Sequence, residues 1–145
     1  EAVRISGIMF PRERPPARTL ESATSLKGKQ RTALVASLGR RKAWAAAVAV
    51  LEELWRTSSR PHAATCGAAI AACARSLKWR CASWLLHTSF RRNEQLNAAC
   101  VLMAICACAR VARWRMALSL LRGELGPRPD LRCFNAAISA CAAGV

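Results

Sequence analysis

Apolar residues along this chain fall into two alternating kinds of segment. The first kind is Ala-rich and apolar on most sides: Gln30–Gly39, Thr65–Ala74, Ala98–Ala109 and Cys133–Ala142. A helix that is apolar nearly all round is packed on both sides. A short basic break follows three of them: Arg40-Arg41-Lys42, Arg75 to Lys78, and Arg110 to Arg113. The second kind then starts at a tryptophan: Trp44–Trp55, Trp79–His87 and Trp114–Leu121. Its Ala-x-x-Val/Leu-Leu pattern lays one apolar stripe at helical spacing. Polar turns rich in Ser, Arg, Gly and Pro end two of these pairs, at Thr57–Pro61 and Gly126–Pro129; the other ends at Arg91-Arg92-Asn93.

The helix pairs themselves repeat. Trp44, Trp79 and Trp114 are 35 residues apart, and so are Val35, Ile70 and Ile105; Ala47, Ala82 and Ala117; Leu51, Leu86 and Leu121; and Arg40, Arg75 and Arg110. Ile105 to Ile138 and Cys108 to Cys141 are each 33 residues, so the third unit is two residues shorter. The deletion is expected in the turn Gly126–Asp130, because surface turns tolerate deletions better than helices do. Self-similarity at a period of this size marks a stacked repeat, in which each unit buries its apolar face only against its neighbours. The predicted architecture is therefore an all-α solenoid of helix-turn-helix units. The units are 28–62, 63–97, the shortened 98–130, and a partial fourth, 131–145, with only its first helix. Residues 1–27 lack the period, contain Pro11, Pro15 and Pro16, and are expected to be a mostly irregular extension. Ala47, Ala82 and Ala117 are expected where the helices of a unit cross, and the periodic tryptophans are expected to seal one hairpin against the next.

Charge narrows the partners. Lys and Arg number 23 against 8 Asp and Glu, a formal net charge of +15, which favours a polyanion. The eight cysteines do not read as a disulfide framework, because Cys73, Cys108 and Cys141 share one repeat slot and Cys100 and Cys133 another. Cysteine at equivalent buried slots acts as a small hydrophobe, and a reducing compartment is expected. The longest uncharged runs, Pro61–Ala74 and Gln95–Ala109, have 14 and 15 residues, short of the about 20 needed to cross a bilayer. There is no Cys-x-x-Cys pair, and Cys106 and Cys108 would point apart on a helix, so no metal site is expected. No carboxylate pair near a histidine, Gly-rich phosphate loop or nucleophile elbow is present, so a non-enzyme without a cofactor is expected. The chain begins with Glu1 and stops at Val145 inside a unit, and is expected to be part of a longer protein.

Two stretches carry a family likeness. Cys133-Phe134-Asn135-Ala136-Ala137-Ile138-Ser139-Ala140-Cys141-Ala142-Ala143-Gly144 opens on an aromatic-Asn pair and an apolar Ile, and Ala117-Leu118-Ser119-Leu120-Leu121 runs on to Pro129-Asp130. Together they resemble the pentatricopeptide repeat, over about residues 28–145. The resemblance implies a single-stranded RNA-binding protein acting in organellar RNA metabolism, in chloroplast or mitochondrion, with about one base read per unit. It implies base-facing slots at the fifth residue of each unit, Thr32, Gly67, Leu102 and Asn135, and at the last, His62, Asn97 and Asp130. It places Arg40, Arg75 and Arg110 beside the RNA phosphates. Gly67 has no side chain and Leu102 no hydrogen-bonding group. A helical-repeat scaffold that binds proteins through degenerate slots is the alternative.

Overall fold

The computed structural model describes residues 4–5, 8–9, 17–57, 60–92, 94–123 and 126–144. Two two-residue strands, β1 (Arg4–Ile5) and β2 (Ile8–Met9), form an antiparallel pair, with Arg4 opposite Met9. Among the described residues eight helices follow: α1 (Ala17–Ser25), α2 (Gly28–Arg40), α3 (Trp44–Arg56), α4 (Ala63–Arg75), α5 (Trp79–Arg91), α6 (Ala98–Arg110), α7 (Trp114–Leu121) and α8 (Leu131–Gly144).

The helices form two layers. α2, α4, α6 and α8 stack in sequence order, each against the next. In the second layer α3, α5 and α7 each pack against the first helix of their own unit and the first helix of the following one. This doubled contact explains why the first helices are apolar on most sides while the second helices carry one stripe. The architecture is that of an all-α helical-repeat protein built from pairs of about 35 residues. Its core is continuous from Ala23 to Ala140. Val35, Ile70 and Ile105, one slot in three units, are fully buried, as are Ala47, Ala82 and Ala117. The alanine row belongs to α3, α5 and α7, each of which is flanked by two first helices.

The periodic tryptophans are half-buried: each packs one part of its ring on the core and leaves another open. α8 differs from the earlier first helices. Among the described residues it meets only α6 and α7, so Ile138, in the slot of Ile70 and Ile105, is 67% exposed, with Leu131 at 75% and Phe134 at 47%.

Two local expectations are corrected. Residues 17–25, expected to be irregular, form α1, which packs on α3 and buries Ala23 completely. Arg31 of α2 holds the end of that helix: its Nε donates to the Ala23 carbonyl at 3.1 Å and its Nη2 to the Thr24 carbonyl at 3.0 Å. Those carbonyls lack intrahelical partners, and a cation is the donor their partial negative charge favours. The shortening of the third unit is also not a shorter turn. α7 has 8 residues where α3 and α5 have 13, while the connection to α8 runs over 122–130 and those after α3 and α5 over 57–62 and 92–97. The helix loses more than the turn gains. Gly123, in the left-handed region at φ 76°, turns the chain out of α7, and Gly126 then sits against Leu86.

Candidate nucleic-acid interface

The break between first and second helix has one geometry in all three complete units. Lys42, Leu77 and Ala112 take the left-handed conformation, at φ 57°, 57° and 55°. The next N–H reaches back to close the helix: Ala43 to the Leu38 carbonyl at 2.9 Å, Lys78 to Cys73 at 2.9 Å, and Arg113 to Cys108 at 2.8 Å. The left-handed residue itself donates to Gly39, Ala74 and Ala109, at 3.1 Å each. This pair of bonds is the Schellman ending, which satisfies the last carbonyls of the first helix. Glycine is the usual residue at its left-handed position, and here three side-chain-bearing residues occupy it.

Each turn delivers its tryptophan to the first position of the second helix, with cations beside it. Lys78 Nζ lies 5.4 Å from the Trp44 ring centre, and the Arg113 guanidinium lies 5.4 Å from that of Trp79. Each of these cations comes from the unit after its tryptophan. Arg80 lies over Trp79 and Arg115 over Trp114, both at 5.2 Å. Lys78, Arg80, Arg113 and Arg115 are exposed, as are Arg40, Arg41, Lys42, Arg75 and Arg110 on the same edge. None of the three turns contains an acid. The acidic side chains of the described residues lie elsewhere: Glu21 in α1, Glu52 and Glu53 near the end of α3, and Glu94 and Asp130 in the connections leading into α6 and α8.

The helix dipole separates two groups within this edge. Arg40, Arg75 and Arg110 are the last residues of α2, α4 and α6, where the partial negative charge of the helix favours a cation. Scaffold electrostatics alone accounts for them. Lys78 and Arg113 are the N-caps of α5 and α7, and Arg80 and Arg115 lie in the first turns, which hold no acid. There the dipole disfavours a cation by about 0.3–1 kcal/mol each, which the tryptophan face offsets by a similar amount, about 0.5–1 kcal/mol. Cations kept at helix N-termini make an anion-attracting edge. The sequence showed Lys78 and Arg113 only as the ends of basic breaks and gave no role to Arg80 or Arg115; their position flanking the periodic tryptophans was the available signal.

The slots expected to face bases fall in different environments. Thr32 Oγ1 donates to the Gly28 carbonyl at 3.1 Å and shares a hydrogen bond with Thr65 Oγ1 at 3.0 Å. Gly67 is buried, with its Cβ direction 3.5 Å from Cys100 Sγ, and Leu102 is half-buried against the core. Asn135 alone of this row is exposed, on α8. The second row lies at helix starts. The His62 ring covers Gly28 so closely that a Cβ there would collide with it. Asn97 Oδ1 caps α6 by accepting from the Cys100 N–H at 3.3 Å, and Asp130 Oδ1 accepts from the Cys133 N–H at 3.2 Å. The other Asp130 oxygen accepts from Arg132 Nη2 at 2.8 Å, and this bond holds the Asp130 carboxyl below the usual range. Rather than one open row, these residues are partly interior and partly capping.

Six of the eight cysteines are buried, and Cys106 and Cys141 are partly exposed. Burial pushes the thiols of Cys66 and Cys73 up strongly, and those of Cys81 and Cys108 up to about 11. A thiol held protonated in this way is a poor nucleophile and a poor metal ligand. Among the described residues no group of three or more His, Cys, Asp or Glu is placed to hold a metal, and no helix is long and apolar enough to cross a membrane.

What fold and site define together is a helical-repeat scaffold with one acid-free basic edge. No protein-family model matches the chain, and no curated protein matches it.

Proposed function

We propose that the chain is a non-catalytic, single-stranded RNA-binding repeat protein of the pentatricopeptide type, serving organellar RNA metabolism. The observation that supports this most is the basic edge, where Lys78, Arg80, Arg113 and Arg115 are kept at helix N-termini that disfavour them. A strand laid along that edge meets cations once per unit, and its phosphates gain from both side chains and helix ends. Because Asn97 and Asp130 cap helices and Gly67 lies in the interior, binding depends on the backbone more than on base identity.

The test is a salt titration with a short unstructured RNA. Each phosphate contact adds about 0.7 to the slope of log affinity against log salt for single strands. Lys78, Arg80, Arg113 and Arg115 changed together to Gln should lower the slope by about 3. Arg40, Arg75 and Arg110 changed together to Gln should lower it less. Salt-independent affinity in the unaltered protein would sink the reading. The slot geometry also favours a second reading, a protein-binding scaffold. It gains if RNA affinity stays weak at low salt while a purified acidic partner binds the same edge.

A further inference from the structure

The far ends of α3 and α5 form a second site, unrelated to the turn edge. A groove of about 700 Å³ opens there between Trp55 and Arg56 on one side and Trp84, His87, Arg91 and Arg92 on the other. Its aromatic residues follow the repeat only in part, although both rings also pack against the core. One period on from Trp55 stands Phe90, and the equivalents of Trp84 are Ala49 and Ser119. The scaffold therefore does not require a tryptophan at either position.

The two rings meet edge to face, with centres 6.1 Å apart and planes at 74°, forming an aromatic corner. Trp55 is held in place: its Nε1 donates to Glu94 Oε1 at 2.8 Å, and the other oxygen of that carboxylate accepts from Cys66 Sγ at 2.6 Å. The Arg92 guanidinium lies 4.8 Å from the Trp55 ring centre. Arg91 and Arg92 are exposed at the rim, whereas Arg56 is engaged by Glu53 at 2.8 Å. Glu52 and His87 stand in the walls, and His87 Nδ1 is buried without a hydrogen-bond partner among the described residues.

We propose that this groove binds a nucleoside 5′-phosphate, its base against Trp84 and Trp55 and its phosphate on Arg91 and Arg92. Stacking on an aromatic face suits any base, and the planar guanidinium matches a phosphate. The helix C-termini nearby oppose an anion, but charge-assisted bonds from the guanidinium groups outweigh this. A positively charged ligand is disfavoured by the same arginines. The groove runs from the middle of α5 to its far end, from about 8 Å at Trp84 to about 18 Å at Arg91 along the axis from the turn edge, and does not depend on the RNA reading.

Calorimetric titration of the full chain with adenosine 5′-monophosphate, adenosine and inorganic phosphate tests it. The monophosphate should saturate one site, with adenosine about tenfold weaker and phosphate weaker still. Arg91→Gln with Arg92→Gln, both at exposed positions, should bring the monophosphate down to the level of adenosine. Lys78→Gln with Arg113→Gln should leave it unchanged. Equal affinity for phosphate and nucleotide, an unaltered titration in the Arg91/Arg92 variant, or loss in the Lys78/Arg113 variant would each overturn the proposal. Competition by a 5′-phosphorylated oligonucleotide, and not by its 5′-hydroxyl form, would assign the site to a strand end; competition by neither would assign it to the free mononucleotide.

Discussion

The two edges of this solenoid are built on opposite plans. At the edge where first helix turns into second, three units share one geometry: the same left-handed residue, the same backward hydrogen bonds and a tryptophan in the same place. At the edge where second helix leads into the next unit, less is shared. His62 covers Gly28, Asn97 and Asp130 cap their helices, α7 stops early, and Glu94 ties Trp55 to Cys66. A repeat array is held by identical neighbour contacts, so the uniform edge carries the stacking. The varied edge is where one unit can differ from the next without disturbing it.

Removing a ring from the uniform edge is the harshest test of that division. Trp79 packs on the core and receives cations from its own unit and the next. Trp79→Ala should cost about 3 kcal/mol, the lower end for truncating a large aromatic because the ring is only half-buried. Urea unfolding measures it. A loss under about 1 kcal/mol would show that stacking does not depend on the ladder.

The varied edge has a gentler counterpart in Asn97. As an N-cap its replacement by Ala should lower stability by about 1 kcal/mol and leave the relative affinities for homopolymeric RNAs unchanged. If stability holds and base preference shifts, the residue reads a base and the capping account fails.

Why one edge was legible in the sequence and the other was not follows from the same contrast. Periodicity reports what every unit needs. It therefore located Val35, Ile70 and Ile105 in the core and the tryptophan at the start of each second helix. It could not report α1, which occurs once and whose burial depends on α3. Nor could it tell where α7 ends, because that is set by a single glycine and by the packing of Gly126 on Leu86. The candidate slots were named by resemblance, and resemblance carries position but not environment. Thr32 facing Thr65 and Gly67 facing Cys100 are facts about neighbouring helices, which no single unit contains. Trp55 and Trp84 lie off the tryptophan ladder and so carried no weight in a periodic reading, although together they line the groove.

Backbone conformation gives a paired test across the edges. Gly123 at φ 76° serves the varied edge, and Leu77 at φ 57° does similar work on the uniform one. Gly123→Ala should destabilise by about 1 kcal/mol, since a Cβ is costly in the left-handed region. Leu77→Gly should stabilise by about 0.5–1 kcal/mol, because it removes that cost and gives back part of it as unfolded-chain entropy. Leu77 is 43% exposed, so part of its side-chain packing is lost and offsets some of this gain. If thermal unfolding shows the variant to be less stable, the Leu77 side chain contributes a contact that outweighs its backbone strain.

The smallest effect addresses why the uniform edge is basic at all. If Lys78 stands over Trp44 to hold two units together, Lys78→Met should lower stability by about 0.5 kcal/mol. Its amine sits at the N-terminus of α5, where the dipole works against it by a comparable amount. The two contributions nearly cancel, so the single change should fall close to zero. A double-mutant cycle with Trp44→Leu separates them: a coupling of about 0.5 kcal/mol between the two positions isolates the ring contact. Added salt should screen the dipole contribution more than the ring contact, because the ammonium is exposed and the ring is half-buried. Lys78→Met should then be neutral in dilute buffer and become destabilising as salt rises. A coupling indistinguishable from zero would mean that the cation contributes nothing to stacking, leaving its position on the edge to be explained by an anionic partner alone.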